Sequence, residues 1–278
     1  MIGENLTSSV RSLTAFIMKH CLTLGRIFFA FGLIGSGLQQ LVRHEFVRLV
    51  PKLPQWVASP GIWAGLSGAL LIVVGLAILV DRKRRPAALA AAGLFVVVFL
   101  LYVPGVIVNP GAGYVWTNPC KTLALLGCSI LLATVATDRR VDGVVAGRSS
   151  PDLTWLYGGI ALGGFLIVCG VQHFVYVDFV VQLVPAWIPG LRFWAYFTGV
   201  ALLAGGVGLN FRPSAPMAAA LTGLMIFLWV ILLHVPRALA SPQDPGETSA
   251  IFEALALSGT ALVVAGLTAT RRTANPSR

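Results

Sequence analysis

Charge is what this sequence has least of. Only 11% of its 278 residues are charged, where a soluble protein carries about 25%. A water-soluble globule of this size cannot cover its surface with so few charges, and disordered or fibrous chains are excluded with it. Segments of alternating polarity are also missing, which excludes an outer-membrane barrel. Acidic residues number 10 against 20 basic. No basic stripe interleaved with aromatics appears, so nucleic acid is not the expected partner. The four cysteines, Cys21, Cys120, Cys128 and Cys169, form neither C-x-x-C nor C-x-x-C-H. Zinc, c-type haem and thioredoxin-like readings therefore have no sequence warrant. The cysteines read as small apolar side chains rather than a disulfide framework. Nucleotide and flavin fingerprints are absent too, so catalysis would need a partner subunit.

What the chain does have is long apolar runs and 30 glycines. A span needs roughly 20 apolar residues, and small residues suit close helix packing in lipid. The expected fold is an all-α integral membrane protein with eight spans, at about 22–41, 62–80, 87–107, 119–136, 155–177, 192–210, 215–234 and 250–269. Residues 1–21 read as an interfacial amphipathic segment, with Leu6, Val10, Leu13 and Ile17 at helical spacing, and not as a cleaved signal. The stretches 46–56 and 180–194 mix apolar, aromatic and basic residues. Both are expected to lie along the outer interface, anchored by Trp56, Trp187 and Trp194.

Basic residues set the expected orientation. With the N-terminus inside, the inner segments hold Arg11, Lys19, Arg82, Lys83, Arg84, Arg85, Arg139, Arg140, Arg148, Arg212, Arg271, Arg272 and Arg278. The outer segments hold Arg43, Arg48, Lys52, Arg192 and Arg237, while Arg26 and Lys121 lie near span ends. Thirteen against five predicts both termini in the cytoplasm, in a bacterial-type cytoplasmic (inner) membrane. Arg26 is expected to snorkel.

The chain repeats itself. Gly37-Leu38-Gln39-Gln40 matches Gly170-Val171-Gln172-His173, and Glu45-Phe46-Val47 matches Asp178-Phe179-Val180. Leu49-Val50-Pro51 matches Leu183-Val184-Pro185, and Trp63 and Gly68 match Trp194 and Gly199. Leu101-Tyr102-Val103-Pro104 matches Leu233-His234-Val235-Pro236, and Lys121 through Gly127 matches Glu253 through Gly259. A near-constant offset through four spans predicts a duplicated four-helix unit. An even number of spans per unit makes the repeats parallel. The expected segments are four-helix repeats at 22–136 and 154–270, a cytoplasmic linker at 137–153 and a basic tail at 271–278. The simplest picture is two four-helix bundles side by side.

Polar residues inside spans are costly, and so informative. His173, His234 and Glu253 come from three helices of the second half at one depth near the outer ends, flanked by Gln172 and Asp178. The first half offers Gln40, Tyr102 and Lys121 at the matched positions, beside Gln39 and Glu45. Two readings stand: interfacial polarity, which span ends tolerate, or a pocket for ligand binding and proton transfer. A histidine near a carboxylate suits hydrogen bonding to a quinone carbonyl. Haem held by His173 and His234 ranks behind it, and a metal site lacks ligands.

These residues resemble the DoxX-like family. The likeness rests on the four-span unit, the first span ending Gly-x-Gln-(Gln/His), the Pro-containing segment after it, His234-Val235-Pro236, and the polar residue opening the fourth span. The first half departs from it at Tyr102 and Lys121. The resemblance implies a membrane subunit linked to redox work, as in thiosulfate:quinone oxidoreductase and oxidative-stress complexes, with any carried-over site mainly in the second half. The expected function is a redox-associated subunit that binds quinone near the outer face. The alternative is a non-catalytic anchor or assembly factor for a partner complex, and a transporter is the weaker third. Expected partners are membrane lipids and either a protein partner or a second copy. Small-residue faces at Gly158-Gly159, Gly163-Gly164 and Gly205-Gly206 with Gly208 are candidates for packing between the halves or against partner helices.

Overall fold

A computed structural model describes residues 2–51, 53, 57–81, 83–135 and 151–274, with the side chains of 2–19, 151 and 270–274 outside the description. Among the described residues all regular structure is helical, with no strand. The first repeat comprises α1 (Ile2–Arg43), α2 (Pro60–Val80), α3 (Arg84–Val108) and α4 (Thr117–Val135). The second comprises α5 (Asp152–Val175), a short α6 (Val177–Leu183), α7 (Leu191–Asn210), α8 (Ala215–Ala240) and α9 (Pro245–Ala274). Eight helices are long and apolar enough to cross a membrane, which makes this a multi-pass membrane protein by length and composition. Helices satisfy their own backbone groups, and this is what a chain with so few charges requires in lipid.

The local sequence explains the ends. Pro60 opens α2 and Pro245 opens α9, where a missing N–H costs nothing. Asp81 ends α2 with φ 63°, and Gly190 precedes α7 with φ 72°. The predicted linker at 137–153 and basic tail at 271–278 fall largely outside the described residues, as do the stripe of Leu6 to Ile17 and Trp56. The backbone of α1 is one helix from Ile2 through Arg43, without a break between the predicted interfacial segment and the first span.

The two halves are not separate bundles side by side. Helix α1 packs along α9 as well as α2, and α5 packs along α4 as well as α7. Each repeat's first helix thus lies against the other repeat's fourth, and α4 and α9 also touch. In α9, 78% of the most apolar stretch is buried, against 22% in α3. Glycine permits the central crossing. A Cβ on Gly25 would come within 2.6 Å of the Val263 nitrogen and 2.7 Å of the Gly259 carbonyl. Gly163 and Gly206 meet in the same way between α5 and α7, and Gly158 packs on Val264. Of the small-residue faces, Gly158, Gly159, Gly163, Gly205, Gly206 and Gly208 are thus packed within the chain, while Gly164 meets open space.

The segment after α1 packs part of its apolar content inward. Residues 44–51 turn at His44 (φ 55°) and bury Val47 and Leu49, with Arg48 exposed between them. Its counterpart is the short helix α6, on which Phe179 is exposed. Trp187 and Trp194 are exposed, as the interfacial reading has them. Arg26 does not simply snorkel: it pairs with Asp81 at 3.1 Å, and Arg84 joins the same carboxylate at 2.8 Å. All four cysteines are free.

Candidate functional site

The polar residues at the 44–59 end of the molecule sort into two classes, those that join the halves and those that line a cavity. Gln39 and Gln172 belong to the first. Gln39 donates through Nε2 to the Pro245 carbonyl at 2.7 Å and accepts from the Ser249 hydroxyl at 3.1 Å. Gln172 donates to the Gly113 carbonyl at 2.7 Å and accepts from the Thr117 hydroxyl at 2.9 Å. The partners correspond as the glutamines do, so one clamp occurs twice, each time from a first helix to the start of the other repeat's fourth. A glutamine amide with both functions bonded has little left for a ligand.

Lys121 and Glu253 occupy matched positions on α4 and α9, and they meet. Lys121 Nζ donates to Glu253 Oε2 at 2.6 Å, with 13% and 6% of the two side chains exposed. Both lie four residues, one helical turn or about 6 Å, beyond the hydroxyls the glutamines hold at Thr117 and Ser249. A buried ion pair is costly to desolvate and is tolerated only with good geometry and further bonds. Glu253 lacks the further bonds: Oε1 is buried and has no hydrogen-bond partner among the described residues.

That carboxylate stands in the wall of a cavity of about 300 Å³. The cavity lies in the first repeat, between α1, α2, α3 and the 44–57 segment, and is closed at its inner side by α4 and α9. Aromatic and aliphatic side chains form most of the wall, among them Phe46, Phe95, Leu125 and Phe252. The polar lining is Ser36, Gln40, Ser67 and Glu253. Ser67 donates to Gln40 Oε1 at 2.6 Å, which fixes an amide that is only 1% exposed. Trp63 on α2 and Val97 on α3 line the cavity while remaining 53% and 54% exposed. At these two residues the lining reaches the outward, apolar surface of α2 and α3.

The histidines expected to form the site stand elsewhere. His173 points its Nδ1 at the Cys169 carbonyl, 2.8 Å away and one turn back on its own helix. His234 ends a π-helical stretch, Val230–His234, just before Pro236, which cannot donate a backbone bond. It lies within electrostatic reach of Lys121, Glu253, Arg237 and Glu247, but no hydrogen bond joins His173, His234 and Glu253 among the described residues. Among those residues, no three His, Cys, Asp or Glu side chains stand together as metal ligands. Asp178 pairs with Arg192 at 2.8 Å on the exposed surface, and Glu45 is exposed. Tyr102 donates to the Leu49 carbonyl at 2.6 Å. In the second half the matched carbonyl, Leu183, takes its bond at 3.2 Å from Arg237, which also pairs with Glu247.

Of the residues singled out in the sequence, Gln40 and Glu253 line this cavity, and His173 and His234 do not. Sequence reading missed Ser36, Ser67, Arg237 and Glu247. A usable signal existed for the hydroxyls: Thr117 and Ser249 are matched across the repeat, as are Ser67 and Thr198. The model for the Domain of unknown function (DUF8561) family matches residues 29–138 and, a second time, residues 162–270. The chain belongs to the DUF8561 family. Its two DUF8561 units coincide with the two interlocked repeats, so the duplication seen in the helices is a duplication of the family's own domain. No curated protein and no solved structure matches the chain.

Proposed function

We propose that this DUF8561 protein is a redox-associated subunit of a bacterial-type cytoplasmic membrane that takes a quinone-class ring compound into its first repeat, near the outer face. The observation that carries this reading is the cavity of about 300 Å³, apolar in its walls and polar at one side. Ligand sites are concave, mostly apolar and furnished with a few placed polar groups, and 300 Å³ is at the small end of their range. Entry past Trp63 and Val97, lining residues with exposed apolar side chains, would let a ligand dissolved in the bilayer reach the cavity without crossing water. The excess of basic residues between spans supports cytoplasmic termini, and the cavity then falls toward the outer leaflet. The resemblance to DoxX-like subunits supports the redox association.

The test is direct binding. Purified protein in detergent is titrated with a short-chain benzoquinone, and tryptophan fluorescence is followed. Saturable quenching is expected for the wild type, weakened by Val98→Phe, which fills the cavity from α3. Quenching that never saturates, or that Val98→Phe leaves unchanged, overturns the proposal.

A further inference from the structure

We infer that Glu253 selects, among ring compounds entering the first-repeat cavity, those whose polar end bears a hydroxyl rather than only a carbonyl. This rests on the reading of the cavity as a ligand site and adds the chemistry of what it accepts. The warrant is the division of labour between the two carboxylate oxygens. Oε2 is taken by Lys121 at 2.6 Å. Oε1 is buried without a partner among the described residues, on a residue that lines the cavity. An ionised carboxylate has lone pairs and no proton to give. A ring carbonyl placed against Oε1 sets two acceptors face to face and leaves the carboxylate oxygen unsatisfied. A ring hydroxyl donates to it instead, in a charge-assisted bond about twice as strong as a neutral one.

The remaining wall agrees with such an occupant. The rings of Phe46, Phe95, Phe252 and Trp63 surround the space with apolar surface, so a ring is buried while its hydroxyl reaches α9. Gln40 is held by Ser67 in the same wall and adds a second polar contact for a substituent. The second repeat does not repeat this arrangement. Lys121, a donor, stands where α9 has Glu253, and Phe165 is buried at the position matched to Gly32 of the cavity lining. The acceptor comes from the second repeat and the cavity from the first, so the site exists only because the two units interlock.

The experiment compares a decyl-substituted benzoquinone, its hydroquinone and n-decanol on the full-length protein. Buried polar groups reject a ligand lacking the matching donor strongly, so the hydroquinone is expected to bind at least about tenfold tighter than the benzoquinone. Decanol, with hydroxyl and chain but no ring, is expected not to displace it at equal concentration. Glu253→Gln is expected to bring the ratio of the two ring compounds close to one while the benzoquinone still binds. Equal or tighter binding of the benzoquinone to the wild type overturns the inference, as does a ratio that Glu253→Gln leaves intact or displacement by decanol. If neither ring compound binds the wild type, the cavity reading itself fails and takes the inference with it. Should Glu253→Gln not elute as a folded species, the exchange Lys121→Glu with Glu253→Lys keeps an ion pair but moves the carboxylate to α4. The preference must then be lost.

Discussion

Gln39 and Gln172 do the same thing in the two halves, and Gln40 and His173, one residue on, do not. Both glutamines reach across to the start of the opposite fourth helix and bond a carbonyl and a hydroxyl there. Gln40 turns into a cavity, whereas His173 turns back to its own helix. The duplication has been kept where it joins the halves and has diverged where it faces the interior of each. Tyr102 and Arg237 show a third outcome. They come from unmatched positions yet satisfy matched carbonyls, Leu49 and Leu183, so the bond is conserved between the halves and its donor is not.

The comparison breaks first at Lys121 and Glu253, where two matched positions form one contact. Glu253→Ala leaves a buried ammonium without its partner and is expected to destabilise the protein by about 3–5 kcal/mol. Exchanging the two residues is expected to recover most of that loss, because the pair crosses the pseudo-symmetry axis. Thermal unfolding in detergent checks both. An exchange as damaging as Glu253→Ala would show that the surroundings, not the pair, distinguish the halves.

A smaller effect is expected at the clamps. Gln39→Ala and Gln172→Ala each abandon buried hydrogen-bond partners and are expected to cost about 1–3 kcal/mol, by similar amounts. Unequal losses in denaturant titrations would mean that one interface dominates assembly of the halves. Val98 and Val230 sharpen the contrast of interiors. Both are buried at matched positions, but only Val98 is in the cavity lining. Val230→Phe is expected to overpack, at about 1–3 kcal/mol, and Val98→Phe to cost clearly less because space awaits the ring. At the weak end, Asp178→Asn breaks an exposed pair with Arg192 and is expected to leave the unfolding midpoint unchanged.

Much of this was legible beforehand. Apolar runs gave eight spans, and the offset between Gly37-Leu38-Gln39-Gln40 and Gly170-Val171-Gln172-His173 gave the repeat, because helix length and hydropathy are local properties. Glu253 and Gln40 were legible as candidates because polar side chains inside apolar runs are conspicuous. Their partners were not. A position one or two turns from a span end fixes depth but not direction, so the sequence could not show that His173 turns to the Cys169 carbonyl while Glu253 pairs with Lys121. The burial of Val47 and Leu49 was not legible for a related reason: both suit an interface and a protein interior equally well.

By itself, then, the sequence determined that the chain has eight segments long and apolar enough to cross a membrane and consists of two copies of one unit, since both follow from the order of side chains along the chain. Only the tertiary structure decided that the first helix of each unit lies against the fourth helix of the other. That choice depends on which glycines face which backbones across hundreds of residues, as Gly25 faces Gly259. It is also what places the carboxylate of the second unit in the cavity of the first.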